Sequence, residues 1–397
     1  MRARARDRIT NNGKTEGKGN MKTTRTGVWR KRIATVACAA VLCCGLAALA
    51  GCSGGDQKEE SKAPEQTQTD QAATRTFTDS AGREVEVPAQ IDKIAPSGHT
   101  AMQVLLTMAP DKLVSLSQEL STDQLKYFDS KLADLPITGA AFGAKGDMNK
   151  ESVAAAGPQV VIDTGEYKDG LKEDLDNLQS QLGIPVVFIE TPLDGYDKSY
   201  EMLGDLLGME DRGKELGDYC KNAYDEVKTA MAAIPESERV NVAYLMGDSG
   251  LNAIAKTSYQ GTVIDMCANN VVQLEKASGS GAGNEISLEQ IAVWNPDLIV
   301  FGTKSIYSTV GDDAAWAGIS AIESKNYYEV PSEPWCWLNN PPTVNQIMGL
   351  QWFSRLCYPD KFDNDMQDVV TSYYKTFYNY DLSQADYDKL MSTALPR

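Results

Sequence analysis

The sequence predicts an α/β protein with two doubly wound α/β lobes joined by one long helix, on three observations. Short apolar runs alternate with amphipathic stretches of helical length, which is typical of parallel sheets covered by helices. This alternation occurs twice, before and after residues 210–235. Residues 210–235 carry an uninterrupted helical spacing of apolar side chains, so they predict the connection between the lobes.

Composition and pattern divide the chain into five segments. We expect a signal peptide, a flexible tether, a first α/β lobe, an inter-lobe helix and a second α/β lobe at residues 1–51, 52–76, 77–209, 210–235 and 236–385. Residues 1–20 precede an ordinary signal start at Met21, so they represent either a misassigned start or a long basic leader. Residues 53–76 are mostly polar and include no aromatic residue, which predicts a tether.

The N-terminal segment has the layout of a secretory signal. Five residues within 22–32 are cationic, and none within 33–50 is charged. An apolar stretch of about 18 residues is at the lower limit for a membrane span. Small residues fill the end of the stretch and a polar segment follows at once, so a cleaved signal fits better than a retained span.

Cys52 is the candidate lipidation site. The order Leu49-Ala50-Gly51-Cys52 resembles the lipobox of bacterial lipoproteins, in which the cysteine is acylated and becomes the first residue of the mature protein. The alternative is that Cys52 is one more small apolar residue of the signal. Two or three acyl chains, at about 0.8 kcal/mol per buried CH₂, anchor a protein stably. The resemblance therefore implies a cell-membrane protein, lipid-anchored on the extracytoplasmic face.

Charge and motifs exclude several classes of function. Residues 1–51 hold 11 of the 38 basic residues and 2 of the 55 acidic ones, which leaves a net charge near −26 on the remainder. Such a surface excludes nucleic acid as a partner. The sequence has no GxSxG, P-loop or HExxH motif, no CxxC pair and one histidine, His99. We therefore expect neither an enzyme, nor an intrinsic cofactor, nor a structural zinc site. The pairing of Cys220, Cys267, Cys336 and Cys357 stays open between disulfides and free thiols.

The first lobe begins with a predicted hairpin over residues 77–88, where a Ser-Ala-Gly turn separates two extended arms. Short apolar runs predict strands at residues 93–95, 113–116, 160–162 and 186–189. Amphipathic spacing predicts helices at residues 101–108 and 171–182.

The second lobe repeats this pattern after the inter-lobe helix. Leu216, Cys220, Ala223, Val227 and Met231 recur at three- and four-residue intervals within that helix, and Pro235 predicts its end. We predict strands at residues 240–245, 262–267, 298–301 and 327–330, and helices at 287–293, 344–356 and 366–378.

Three sequence segments carry a resemblance to a known family. They are residues 79–88 (DSAGREVEVP), 182–186 (LGIPV) and 286–300 (ISLEQIAVWNPDLIV), in this order and spacing. With them the chain resembles, over residues 76–380, the substrate-binding proteins of ABC importers that handle ferric siderophores, haem and cobalamin. The resemblance implies the periplasmic-binding-protein fold with a helical backbone.

The resemblance also implies a ligand between the lobes, at the carboxyl ends of the strands. Loops in these positions supply the candidate ligand-binding residues Ser97, His99, Thr100, Phe142, Tyr167, Met246, Tyr307, Trp335, Trp337, Asn339 and Asn340. Relatives often carry an Asp-Arg pair before the double proline, where this chain has Asn339-Asn340. The missing cation disfavours a highly anionic ligand.

Two of these predictions have explicit alternatives. His99 could ligate an open position on a chelated metal, because imidazole suits Fe, Ni, Co and Cu; the alternative is that it helps to cap a helix beside Thr100. In an extended loop Trp335 and Trp337 would face the same way and form a flat apolar wall for the ligand. The alternative is that both indoles pack between the lobes.

Two carboxylates are the candidate permease contacts. In the family a glutamate near the start of a helix in each lobe pairs with arginines of the membrane permease, and the matching positions here are Glu151 and Glu289. The alternative is a helix-start charge without a partner, since a carboxylate is favoured there in any case.

The sequence therefore predicts a monomeric extracytoplasmic binding protein that passes a metal chelate to an ABC permease and its ATPase. An iron–siderophore complex is the expected ligand. Haem, cobalamin and a nickel chelate are alternatives within the same fold, and a surface-display lipoprotein without a role in transport is the alternative of another class.

Overall fold

A computed structural model describes residues 73–142, 146–278 and 281–396. The chain divides into two compact units, residues 1–68 and 69–397, and the described residues belong to the second. The predicted signal peptide, Cys52 and most of the tether lie outside the described residues.

The first lobe consists of a hairpin and a parallel sheet with helices. The hairpin, β1 (Thr74–Thr78) and β2 (Glu84–Pro88), is antiparallel. In chain order there follow β3 (Ile94–Pro96), α1 (His99–Met108), α2 (Thr122–Leu125), α3 (Lys150–Ala156), β4 (Val160–Gly165), α4 (Leu171–Leu182), β5 (Val186–Glu190) and α5 (Tyr196–Leu207). Strands β3, β4 and β5 pair in that order, all parallel.

Most predicted elements of this lobe are confirmed, and one is wrong. The hairpin and the helix over residues 171–182 lie where the pattern predicts them. Residues 113–116 form no strand. They make two isolated bridges, from Leu113 to Ile94 and from Leu116 to Ile137.

The long helix α6 (Glu210–Ala232) confirms the predicted connection between the lobes. Its 23 residues correspond to a length of about 35 Å. The stripe that includes Leu216, Cys220, Val227 and Met231 is buried. Gly213 allows close packing against α5, because a Cβ at this position would collide with the Tyr200 carbonyl.

The second lobe is a mixed sheet with helices. In chain order it comprises β6 (Asn241–Met246), β7 (Asn252–Ala253), α7 (Thr262–Cys267), β8 (Asn269–Asn270), β9 (Asn284–Glu285), α8 (Leu288–Trp294), β10 (Leu298–Phe301), α9 (Ser320–Glu323), β11 (Tyr327–Glu329), α10 (Asn345–Cys357), α11 (Met366–Tyr378) and α12 (Gln384–Met391). The sheet order is β11-β10-β6-β7-β9, and β8 pairs with β6. Strands β10, β11, β6 and β8 pair in parallel, and β7 is antiparallel to its neighbours.

One predicted strand of this lobe is a helix. Residues 262–267 form α7, in which Val263, Ile264 and Cys267 are buried. The periodicity of a five- or six-residue apolar run does not by itself distinguish a strand from a buried helix.

Both sheets are buried on both faces, which is the doubly wound arrangement. In β4 and β10, Val160, Ile162, Leu298 and Val300 enter one large apolar cluster, and the residues between them enter two smaller clusters. The large cluster is continuous through both lobes and α6. No helix within the described ranges is long and apolar enough to cross a membrane.

Candidate ligand-binding cleft

A cleft of about 1000 Å³ lies between the two lobes. One side, called here the first-lobe wall, is formed by residues after β3 and at the end of β4, together with parts of α1 and α4; its side chains include Ser97, His99, Thr100, Gln118, Phe142, Asp163, Thr164, Glu166, Lys168, Asp169, Asp174 and Phe188. The other side, the second-lobe wall, consists of Tyr259, Gln260, Gly281, Asn340 and Pro341. The cleft therefore lies at carboxyl ends of parallel strands, as expected for this fold class.

His99 is the first residue of α1 and lines the cleft. Its Nδ1 atom lies 2.9 Å from Ser117 Oγ, which orients the ring and leaves Nε2 as the nitrogen for a ligand. The N-cap of α1 is Gly98, and no side chain caps this helix. The geometry therefore gives no support to the capping alternative for His99. Within the described ranges no three His, Cys, Asp or Glu side chains are grouped as metal ligands.

Asp163 is the most buried acid of the cleft, with 8% of its surface exposed. Ser97 Oγ donates a hydrogen bond to Asp163 Oδ1. Burial raises the pKa of Asp163 to about 6, and hydrogen bonds from Ser97 and the Thr164 backbone oppose this shift. At neutral pH the carboxyl is therefore mostly ionised, although it is nearly dehydrated.

The outer part of the first-lobe wall carries exposed charges. Glu166, Asp169 and Asp174 are acidic, and Lys168 is the one ammonium among the described lining residues. Lys168 Nζ lies 3.5 Å from Glu166 Oε2 and 5.9 Å from the centre of the Tyr259 ring. This wall is therefore net negative, which opposes anionic ligands.

The second-lobe wall, as described, has no charged side chain. Burial and the nearby carboxylates Glu166 and Glu190 raise the pKa of Tyr259 to about 12, so its hydroxyl stays protonated. Gln260 is buried, and its Oε1 has no hydrogen-bond partner among the described residues. Asn340 is exposed and has a positive φ of 68°.

Trp335 and Trp337 lie in the core and do not line the cleft. The Trp335 ring centre is 5.5 Å from that of Phe128, and the Trp337 ring centre is 6.2 Å from that of Trp352. Only 1% of Trp337 is exposed. Gln346 Nε2 donates to the Leu338 carbonyl at 2.9 Å, which fixes this loop against α10. This packing corrects the expectation of a paired-indole wall. Trp335 packs on Phe128 of the first lobe, as in the packing alternative, whereas Trp337 packs on Trp352 of its own lobe.

The other predicted ligand residues divide into two groups. Ser97, His99, Thr100, Phe142 and Asn340 are brought together in the cleft, whereas Tyr167, Met246, Tyr307 and Asn339 are outside its lining. Asn339 is buried, accepts a hydrogen bond from Tyr244 Oη at 2.9 Å and reaches the Met246 sulfur at 3.4 Å. Tyr307 packs on the rings of Phe301 and Tyr327.

Asp163, Tyr259 and Gln260 line the cleft but are absent from the predicted set. The signal for Asp163 is present in the sequence, since a polar residue directly follows the apolar run 160–162 at the end of a strand. The sequence gives no such signal for Tyr259 and Gln260. The pattern predicts a strand at residues 262–267, so ligand contacts would be sought after this segment, whereas Tyr259 and Gln260 lie before it.

Glu151 and Glu289 occupy equivalent positions on two seven-residue helices, α3 and α8. Each is the second helical residue, and the side chain of Asn149 or Ser287 caps the helix before it. Both carboxylates are exposed. Hydrogen bonds from its own backbone N–H and from Ser287 lower the pKa of Glu289, which keeps it ionised.

Sequence comparison assigns the family. The model of the periplasmic binding protein family matches residues 100–334. The chain belongs to the periplasmic binding protein family. No curated protein matches the sequence.

Solved structures agree with this assignment. An ABC transporter solute-binding protein from Sulfurospirillum deleyianum is 27% identical, with a TM-score of 0.73, covering 80% of this chain and 99% of its own. Molybdate-bound MolA of a Haemophilus influenzae ABC transporter is 22% identical, with a TM-score of 0.62 over 78% of this chain and 99% of its own. Helicobacter pylori CeuE in a Ni-His complex is 15% identical, with a TM-score of 0.58 over 80% of this chain and 99% of its own.

This periplasmic binding protein is thus a substrate-binding protein of an ABC transporter. Proteins of this family are solute-binding proteins and not enzymes, and the family implies an extracytoplasmic location. The two-lobed fold with a helical connection, predicted from the sequence, is confirmed.

Proposed function

We propose that this binding protein captures a metal chelate, an iron–siderophore complex, and delivers it to the permease of an ABC importer while anchored to the membrane through lipidated Cys52. The observation that carries the proposal is the cleft of about 1000 Å³ between the lobes, with an imidazole at its edge. Ligand pockets of small molecules range over about 300–1000 Å³, so this cleft has the volume for a whole chelate.

His99 supports a metal-centred ligand. Its Nδ1 atom is engaged by Ser117 Oγ at 2.9 Å, so Nε2 is presented in a fixed orientation. A metal-ligating histidine commonly has its other ring nitrogen held in this way. Phe142 and Phe188 add apolar surface to the same wall, suited to the organic part of a chelate.

The charges of the cleft support a neutral or cationic complex. Four carboxyl groups and one ammonium line the first-lobe wall, and the described second-lobe wall carries no charge. A strongly anionic ferric complex would meet like charges on one side and no cation on the other.

The experiment is a ligand panel tested on the purified full-length mature protein. Ferric siderophores of different charge, haem, a corrinoid and a nickel–histidine chelate are titrated while thermal stability and tryptophan fluorescence are recorded. We expect a ferric siderophore to raise the melting temperature, because a ligand at 100 times its Kd stabilises the folded state by about 2.7 kcal/mol. Stabilisation by a sugar or a peptide, with all chelates inactive, would contradict the proposal.

The lipid anchor has a separate test. We expect Cys52→Ala to abolish recovery of the protein with washed membranes, because no acyl chain can then be attached at that position. Cys44→Ala is the matched control, since it replaces a cysteine of the same apolar stretch and leaves the Leu-Ala-Gly-Cys motif intact. Membrane recovery of the Cys52→Ala protein at high salt would show that another anchor exists.

A further inference from the structure

Two buried polar atoms in the cleft lack partners. Thr164 Oγ1 and Gln260 Oε1 are buried in side chains that are 6% and 8% exposed, and neither has a hydrogen-bond partner among the described residues. Buried polar atoms in native proteins nearly always have one, and leaving one unpaired costs about 1–3 kcal/mol. Both residues line the cleft, and a ligand can supply the missing partner to Gln260 Oε1.

Asp163 adds a buried charge to the same cleft. It precedes Thr164 on β4, and no charged group among the described residues acts on its carboxylate. Ser97, which donates a hydrogen bond to this carboxylate, is uncharged and supplies no counter-charge. A dehydrated carboxylate without a counter-charge is unfavourable, and a cation brought to it relieves that cost.

The three groups share one chemical preference. A carboxylate oxygen and an amide oxygen only accept hydrogen bonds, and a threonine hydroxyl can accept one. An ammonium group offers three N–H donors and a positive charge, so it can donate to Asp163 and neutralise it while a further N–H suits an acceptor such as Gln260 Oε1 on the opposite wall. A catecholate or carboxylate group would bring further acceptors and a second negative charge.

The cleft floor is defined here as Asp163 and Gln260, because Thr164 follows Asp163 on β4 and its side chain lies on the other face of the sheet. Resting on the proposed function, we infer that the cleft floor is a subsite for a cationic, amine-bearing arm of the chelate, so that the transported complex is selected for positive over neutral or negative charge.

The other charged and titratable groups around the floor come from four elements. His99 lies on α1, Glu166, Lys168 and Asp169 follow β4, Asp174 lies on α4, and Tyr259 faces them from the second lobe. Lys168 is directed to Glu166, at 3.5 Å. Burial raises the pKa of Asp163 to about 6, so acid conditions protonate this carboxylate and disfavour a cationic arm.

The test compares two probes that share one ferric chelate and differ at a pendant amine, which is charged in one and acetylated and uncharged in the other. Ferrioxamine B carries a pendant ammonium, and its N-acetylated form is the same ferric chelate without that charge. Calorimetric titration of the full-length protein at about pH 8 is expected to show at least about tenfold tighter binding of ferrioxamine B, the effect of one charge-assisted hydrogen-bonded pair. The preference is expected to fall when the titration is repeated at about pH 5.

Asp163→Asn keeps the size of the side chain and removes the charge, so we expect it to bind both probes equally. Glu329→Gln is the matched control, since it removes a partly buried carboxyl that lies outside the cleft lining and should leave the preference unchanged. Thermal melts of both variants establish that they fold, and the pH series on the unmodified protein tests the inference without any substitution.

Two results would overturn the inference. Equal binding of both probes by the unmodified protein would refute the cationic subsite and leave chelate binding intact. An unchanged preference in Asp163→Asn would refute the role of the carboxylate. Failure of every chelate in the wider panel would instead remove the proposed function, and the inference with it.

Discussion

The two lobes are alike in one exposed helix each, α3 and α8, called here the rim, and different inside the cleft. Helices α3 and α8 have the same length, the same type of cap and a glutamate at the same position, Glu151 and Glu289. Val153 and Ile291 are buried at equivalent positions. The cleft walls, in contrast, share little, because the first-lobe wall holds four carboxyl groups and an imidazole while the second-lobe wall, as described, is uncharged.

This difference separates two tasks. A repeated rim is suited to a partner that presents two similar surfaces, whereas an asymmetric cleft is suited to one small ligand in one orientation. We therefore expect substitutions in the first-lobe wall to change ligand binding, substitutions in the second-lobe wall to change it less, and substitutions at the rim to change transport only.

Asp163 is the most buried charge of the first-lobe wall, so its substitution should have the largest effect, which is on the free energy of unfolding. Burial raises its pKa from an ordinary 3.8 to about 6, so the folded state binds this proton more tightly than the unfolded state does. Its favourable contribution is complete below about pH 4 and is lost as the pH rises through about 6. Asp163→Asn should therefore be more stable than the unmodified protein at about pH 8, by up to about 3 kcal/mol.

Urea unfolding of both proteins between about pH 4 and pH 8 measures this difference. The two curves should converge at the acid end, where the carboxyl is neutral in both states. A variant that is less stable at about pH 8 would mean that the charge of Asp163 is compensated within the fold, and the contrast between the walls would weaken.

His99 and Asn340 test the walls against each other. His99→Ala should weaken binding of the cognate chelate by more than about tenfold, since the imidazole can no longer ligate the metal. Asn340→Ala should weaken it by about two- to threefold, because an exposed amide contributes a modest hydrogen bond. Calorimetric Kd values of the two variants show which wall contributes more to affinity. His99→Gln is the control, because it keeps a polar side chain but has no imidazole. A larger loss at Asn340 would reverse the assignment of the walls.

The rim should give the smallest effect on affinity. Glu151→Ala and Glu289→Ala should each leave the ligand Kd within about twofold while reducing transport, because a charge removed from the edge of a lobe changes only association with the partner. The two variants should lose similar amounts of transport if both glutamates contact the partner in the same way. Glu173→Ala replaces an exposed glutamate of α4 and serves as the control. A tenfold loss of affinity in either variant would place that glutamate inside the cleft.

The regular parts of this fold were predictable because their signals are local. The strand Leu298–Phe301 and the helix Met366–Tyr378 lie where the sequence patterns predict them. The strand prediction for residues 262–267 was wrong because the conformation of this short apolar run depends on the residues that surround it. Asp265 illustrates this, since its carboxylate accepts hydrogen bonds from the Thr257 backbone and the Asn270 side chain, neither visible in the pattern.

The cleft residues that directly follow a parallel strand could be predicted from the sequence. Ser97 and His99 follow β3 directly, so topology alone brings them to the site. The indoles of Trp335 and Trp337 were misplaced because an extended loop was assumed, while long-range packing on Phe128 and Trp352 holds them in the core. Gln260 required the three-dimensional arrangement, since it reaches the cleft from a short turn before α7.

The continuous apolar cluster has a consequence for the speed of ligand capture. Thr343 Oγ1 lies 2.6 Å from Gln103 Oε1, and the rings of Tyr200 and Phe377 are 6.3 Å apart, so the lobes are packed and hydrogen-bonded together behind the cleft. Swinging the lobes apart would expose part of this core, at about 2.5 kcal/mol for each 100 Å² of apolar surface. We therefore expect the entrance of the cleft to keep nearly the same width with and without ligand. Association should then proceed in one step without gating, and its rate should rise linearly with ligand concentration.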